Sequence, residues 1–77
     1  RDRHLLTNQR VLDSIVQKSD IKSTDTVLEI GPGTGNLTLK LLEVAKHVIA
    51  VEIDKRMIEI LNKRVAECGF EHKITVR

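Results

Sequence analysis

Apolar positions along the 77-residue chain switch between helical and extended spacing, and the switches divide it into elements. In "NQRVLDSIVQKSD", Val11, Leu12, Ile15 and Val16 fall on one helical stripe. Thr7 or Asn8 is available as N-cap, so the spacing predicts a helix from about Asn8 to Ser19. "STDT" is turn chemistry, and "TVLEI" at 26–30 is the short β-branched and apolar run of a buried parallel strand. Beyond a glycine-rich loop, Leu37, Leu41 and Val44 mark one face of a helix from Asn36 to about Val44. Leu39 and Leu42 broaden that face, which predicts burial on more than one side. "HVIAVEI" at 47–53 reads as a second strand. From Lys55 to Cys68 the stripe is Met57, Ile58, Leu61, Val65 and Cys68, Glu59 and Lys63 are spaced as an i,i+4 pair, and Gly69 suits the C′ position. "KITV" at 73–76 is a third strand.

A helix followed by strand–helix–strand–helix–strand at these spacings suits right-handed βαβ crossovers in a parallel sheet. The expected class is α/β, with residues 1–77 forming one piece of a single domain, the N-terminal half of a doubly wound parallel sheet. In a complete sheet the first strand is central, yet here one of its sides is an open edge, which native domains avoid. The expectation is therefore a fragment of a longer enzyme.

Composition narrows the class further. Forty per cent of residues are apolar, 31 % are charged and Phe70 is the single aromatic, an ordinary balance for a soluble α/β segment. No apolar run approaches the roughly 18 residues of a membrane span, and "RDRHLL" is not followed by a signal-peptide core, so no membrane partner is expected and a cytoplasmic or nuclear setting is the default. Cys68 is the lone cysteine, and with His72 it makes one pair without a second at ligand spacing, so no metal is expected. The net charge of +2 is unevenly spread: residues 21–54 carry more acid than base, and residues 55–77 the reverse. Lys55, Arg56, Lys63 and Arg64 read as the solvated side of the last helix.

The candidate chemistry lies in "LEIGPGTGNLT", Leu28 to Thr38. Gly31, Gly33 and Gly35 at alternate positions leave a strand-to-helix turn with a bare backbone, either for tight turning alone or for close approach of a ligand. Glu52 follows about 20 positions after the first glycine, at the end of the second strand, where Rossmann-like folds place the acidic residue that accepts from both ribose hydroxyls. The spacing is G-x-G-x-G, not the G-x-G-x-x-G of dinucleotide sites. Glu29, two residues before Gly31, repels a pyrophosphate and attracts a cation. These residues together fit a cationic nucleoside, S-adenosyl-L-methionine. Asp54 either approaches the adenine edge or caps the following helix.

With "HLLTNQRVLDSIV", "DTVLEIGPGTGNLTLKLLE" and "VIAVEIDKRM" in this order, the chain resembles the ribosomal RNA adenine dimethyltransferases, in particular their eukaryotic nuclear branch. The resemblance covers essentially the whole chain and implies a Rossmann-like S-adenosylmethionine-dependent methyltransferase fold. It implies cofactor contacts from His4, Leu6, Gly31 and Glu52, and Glu29, Gly33 and Gly35 complete the candidate set. It also implies dimethylation of adenine amines in small-subunit ribosomal RNA, a role in ribosome biogenesis, pre-ribosomal RNA as partner, a monomeric full-length protein and a nuclear or nucleolar location. Alternatives are an RNA-binding assembly factor for which methylation is dispensable, and a methyltransferase for another substrate. Family members usually show Gly-Gln before the histidine, where this chain has Asp2 and Arg3. The family's acidic residue after the third strand and its Asn-Leu/Ile-Pro-Tyr catalytic motif do not occur before Arg77, so no catalytic residue is assigned.

Overall fold

A computed structural model describes residues 8–77. Helix α1 (Gln9–Lys18) is followed by β1 (Thr26–Ile30), α2 (Asn36–Val44), β2 (His47–Val51), α3 (Lys55–Glu67), a single 3₁₀ turn (Glu71–Lys73) and β3 (Ile74–Val76). Polar side chains set the starts of α1 and α3. Asn8 accepts hydrogen bonds from the backbone N–H groups of Arg10 and Val11, and Asp54 accepts from those of Arg56 and Met57. Each satisfies donors that the first helical turn leaves without an internal partner. Of the two roles open for Asp54, the structure shows the cap. At the far end of α3, Gly69 takes a φ of +76°, while its N–H donates to Ala66 O and that of Phe70 to Val65 O. This paired closure needs a left-handed residue, which is why glycine stands there.

The three strands are parallel, in the order β1-β2-β3. Val27 and Glu29 lie beside Val48 and Ala50, which lie beside Ile74 and Val76. Strand alternation puts these six residues on one face. Against that face pack Leu41, Leu42 and Ala45 from the α2 end of the chain and Leu61 and Val65 from α3. Lys73 donates from Nζ to the carbonyl of Leu42, a cation placed where α2 leaves its last carbonyls unpaired. A Lys40–Asp13 ion pair at 2.9 Å ties α2 to α1. On the opposite face, Leu28 is 62 % and Ile30 70 % exposed, beside Ile49 and Val51.

Several sequence expectations need correction. Strand β1 has the expected bounds but is covered on one face only: the described helices lie toward the Val27 side, and the apolar Leu28 and Ile30 stay exposed on the other. Strand β2 stops at Val51, and Ile53, which continues the apolar alternation, is 95 % exposed. Lys73 belongs to the 3₁₀ turn rather than β3. Val44 is exposed, and Thr38 joins Leu41 and Leu42 in the buried face of α2. Cys68 is exposed because the closure at Gly69 turns the chain away before that side chain can pack. Among the described residues, Glu59 and Lys63 form no ion pair; the pairs present are Lys22–Asp20 and Lys40–Asp13.

Candidate functional site

The loop between β1 and α2 is fixed at both ends by backbone bonds. Gly31 N–H donates to Val51 O at 2.8 Å, prolonging the β1–β2 ladder by one residue, and Leu39 N–H donates to Gly35 O at 2.9 Å, opening α2. Gly31, Gly33 and Gly35 all have positive φ, at 64°, 60° and 96°. Their surroundings divide them. A Cβ on Gly31 or Gly33 meets nothing within 4 Å, whereas one on Gly35 falls 2.5 Å from Leu61 Cδ1. Gly35 is thus buried against α3, and internal packing accounts for it without a ligand. Gly31 and Gly33 have no such packing reason.

Two acidic side chains flank this bare backbone, and one of them, Glu52, braces it. Glu52 follows the last residue of β2, and its own N–H donates to Arg77 O at 3.1 Å, extending the β2–β3 ladder. Its carboxylate accepts from Gly33 N–H at 3.1 Å and from Asp54 N–H at 3.0 Å, linking the glycine loop to the start of α3. A carboxylate has about four acceptor positions, so both oxygens keep capacity for further donors. Glu29 lies on the packed face of β1 and accepts from the hydroxyl of Thr38 in α2. Burial pushes the Glu29 carboxyl above the ordinary 4.5, and the hydrogen bond from Thr38 draws it part of the way back.

Glu29, Gly31, Asn36 and Leu37 share the lining of a cleft of about 260 Å³ with Ile30, Pro32 and Thr34. Glu52, Gly33 and Gly35 lie outside that lining. The structure therefore brings Glu29 and Gly31 to one cleft, and joins Gly33 to Glu52 in a second cluster on the same loop. His4 and Leu6 lie outside the described residues. Three contributors were missed in the sequence: Thr38, Asn36 and Arg64. Arg64 leaves the solvated side expected for it and donates from Nη1 to Thr34 O at 2.8 Å and to Asn36 Oδ1 at 2.9 Å. Its spacing, three residues after Leu61 and one before Val65, put it on the border of the buried stripe, which was the available signal.

A model of the family described as "Ribosomal RNA adenine dimethylase" matches residues 2–77. The chain belongs to the ribosomal RNA adenine dimethylase family. Among similar members, "Ribosomal RNA small subunit methyltransferase, mitochondrial" of Arabidopsis thaliana is 68 % identical over 99 % of this chain and 20 % of its own length. "Probable dimethyladenosine transferase" of Dictyostelium discoideum is 59 % identical over 95 % of this chain and 23 % of its own. A crystal structure of a dimethyladenosine transferase from Plasmodium falciparum superposes with a TM-score of 0.86 at 52 % identity, over 95 % of this chain and 27 % of that one. The chain thus spans about a fifth to a quarter of the curated dimethylase relatives it matches. Its fold is the N-terminal part of the Rossmann-like methyltransferase sheet, as the α/β pattern of the sequence led one to expect.

Proposed function

We propose that this chain is the N-terminal, cofactor-binding segment of an S-adenosylmethionine-dependent enzyme that dimethylates the exocyclic amine of adenine in small-subunit ribosomal RNA. The reading is supported most by the glycine loop, where two backbone positions free of internal packing adjoin two carboxylates, Glu29 and Glu52. A group with a nucleoside and a cationic amino-acid end fits these residues. Gly31 and Gly33 admit close approach, Glu52 offers acceptors to ribose hydroxyls, and Glu29 supplies negative charge beside the cleft. Gly35 serves the site indirectly by letting the loop lie on α3.

When bound, S-adenosylmethionine supplies a methyl group already activated on sulfur. The segment's contribution is to hold and orient, and orientation of reacting groups accounts for a large share of rate in such transfers. An adenine within a stem has to be unstacked to expose its amine, at a few kcal/mol, which favours loops and single strands of the RNA. The family resemblance supports the nucleus or nucleolus and a role in ribosome biogenesis. The word "mitochondrial" in the name of the 68 % identical Arabidopsis relative supports an organellar second reading.

Calorimetric titration of the full-length protein with S-adenosylmethionine, followed by incubation with labelled cofactor and undermethylated small-subunit RNA, tests the reading. Binding and label in dimethyladenine are expected. Binding to pre-ribosomes without transfer would favour the assembly-factor alternative, and absence of cofactor binding would overturn the proposal. A fluorescent fusion of the full-length protein separates nucleolus from mitochondrion.

A further inference from the structure

Thr34, Gly35 and Asn36, three consecutive residues at the exit of the glycine loop, are all held by α3. Gly35 rests on Leu61, and Arg64 grips its two neighbours through the carbonyl of Thr34 and the side-chain oxygen of Asn36. Thr34 and Asn36 both line the cleft that contains Glu29 and Gly31. The place of Arg64 in the last turn of α3 suits the dipole of that helix, but the stability of α2 does not explain why the guanidinium reaches across to it. Asn36 is the first residue of α2, Gly35 gives that helix no side-chain cap, and a guanidinium there adds positive charge at the positive end of the helix dipole. What the arginine gains is position. One nitrogen fixes the path of the loop backbone and, by occupying Asn36 Oδ1, fixes which way the Asn36 amide faces, so its NH₂ donors are directed away from the guanidinium.

We propose that Arg64 is a positioning residue of the cofactor site, which sets the exit of the glycine loop and the orientation of Asn36 and thereby the affinity for S-adenosylmethionine. The inference rests on the proposed function and names a determinant outside the loop that the glycine pattern does not contain. Arg64 does not itself line the cleft, so its action passes through Thr34 and Asn36. Lysine at this position retains a charged donor for both oxygens, whereas methionine fills similar space with none.

The test uses the full-length protein and compares Arg64→Met, Arg64→Lys and Asn36→Ala. For Arg64→Met, the KM for S-adenosylmethionine is expected to rise about tenfold, with kcat and the KM for RNA within twofold of wild type. Arg64→Lys should recover most of the loss. Adding Asn36→Ala to Arg64→Met should cost less than the product of the single effects, because both remove the same contact. Unchanged cofactor affinity in Arg64→Met, or an equal rise of both KM values with a fall in kcat and in the melting temperature, would overturn the inference while the proposed function stood. Failure of the wild-type protein to bind S-adenosylmethionine would remove the proposed function and this inference with it.

Discussion

Three glycines with the same sign of φ have different reasons for being glycine, and substitution separates them. In the full-length protein, Gly35→Ala forces Leu61 to move inside a closed core and should destabilise by about 2–4 kcal/mol, the sum of overpacking and a left-handed alanine. Gly33→Val meets open space, so its stability cost is mainly the strained φ, but it should abolish binding of S-adenosylmethionine. Thermal unfolding and calorimetry on both variants check the contrast, and equal unfolding by both would return Gly33 to a purely conformational role. Glu52→Ala removes the brace on Gly33 and the acceptors offered to the ribose, and should weaken cofactor binding by about 1–3 kcal/mol. Glu29 gives a pH signature. Its folded-state pKa lies above 4.5, so the folded chain holds that proton more tightly than the unfolded one. The resulting stabilisation is fully present below pH 4.5 and is lost as pH rises through the folded value. Glu29→Gln keeps an acceptor for Thr38 without the buried charge, so its melting temperature relative to wild type should climb from pH 4.5 upward while its affinity for the cationic cofactor falls. A difference in melting temperature that stayed flat with pH would show that Glu29 is not desolvated.

Caps and end closures govern the elements. Asp54→Ala should cost about 1 kcal/mol by uncapping α3. Because the N–H that Asp54 gives to Glu52 belongs to the backbone, cofactor affinity should change little, and a large loss of affinity would revive the adenine-edge role. Lys73→Met removes the cation from the end of α2 and from the face of Phe70, 5.4 Å away, and should destabilise by about 1 kcal/mol in a denaturant melt. At this scale the sequence was most informative. Thr26–Ile30 and Asn36–Val44 were legible because a short β-branched and apolar run and a 3.6-residue period meet at alternating glycines. Periodicity misled where it outlasted packing, at Val44, Ile53 and Cys68, since a stripe does not record where the partner surface ends. The glycine turn and the place of Glu29 and Gly31 on one cleft were legible, because residue types and spacing carry local constraints. Thr38 and Arg64 were not, because their roles depend on partners brought together by the crossovers.

For the whole molecule, the apolar face of Leu28 and Ile30 and the exposed Ile53 set the behaviour of the isolated 77-residue chain. A patch of this kind beside an open strand edge promotes association. The isolated chain should melt with little cooperativity, bind a hydrophobic dye and transfer no methyl group to undermethylated RNA. Ile30→Lys should make it more monomeric in sedimentation, yet lower the melting temperature of the full-length protein if other segments cover that face. A sharp transition well above room temperature together with methyl transfer would show that the domain ends within these residues. The parallel order of the strands also has a consequence in time. Among the described residues no two strands are joined by a hairpin, so each of their pairings waits for an intervening helix to be made and folded back, and non-local pairing of this kind is slow. During synthesis, β1 leaves the ribosome before β2, its partner in the described sheet, and its Val27 side stays uncovered until α2 and β2 have both emerged. Translation speed across residues 31–51 therefore sets how long the nascent chain is vulnerable to aggregation and how much it depends on chaperones.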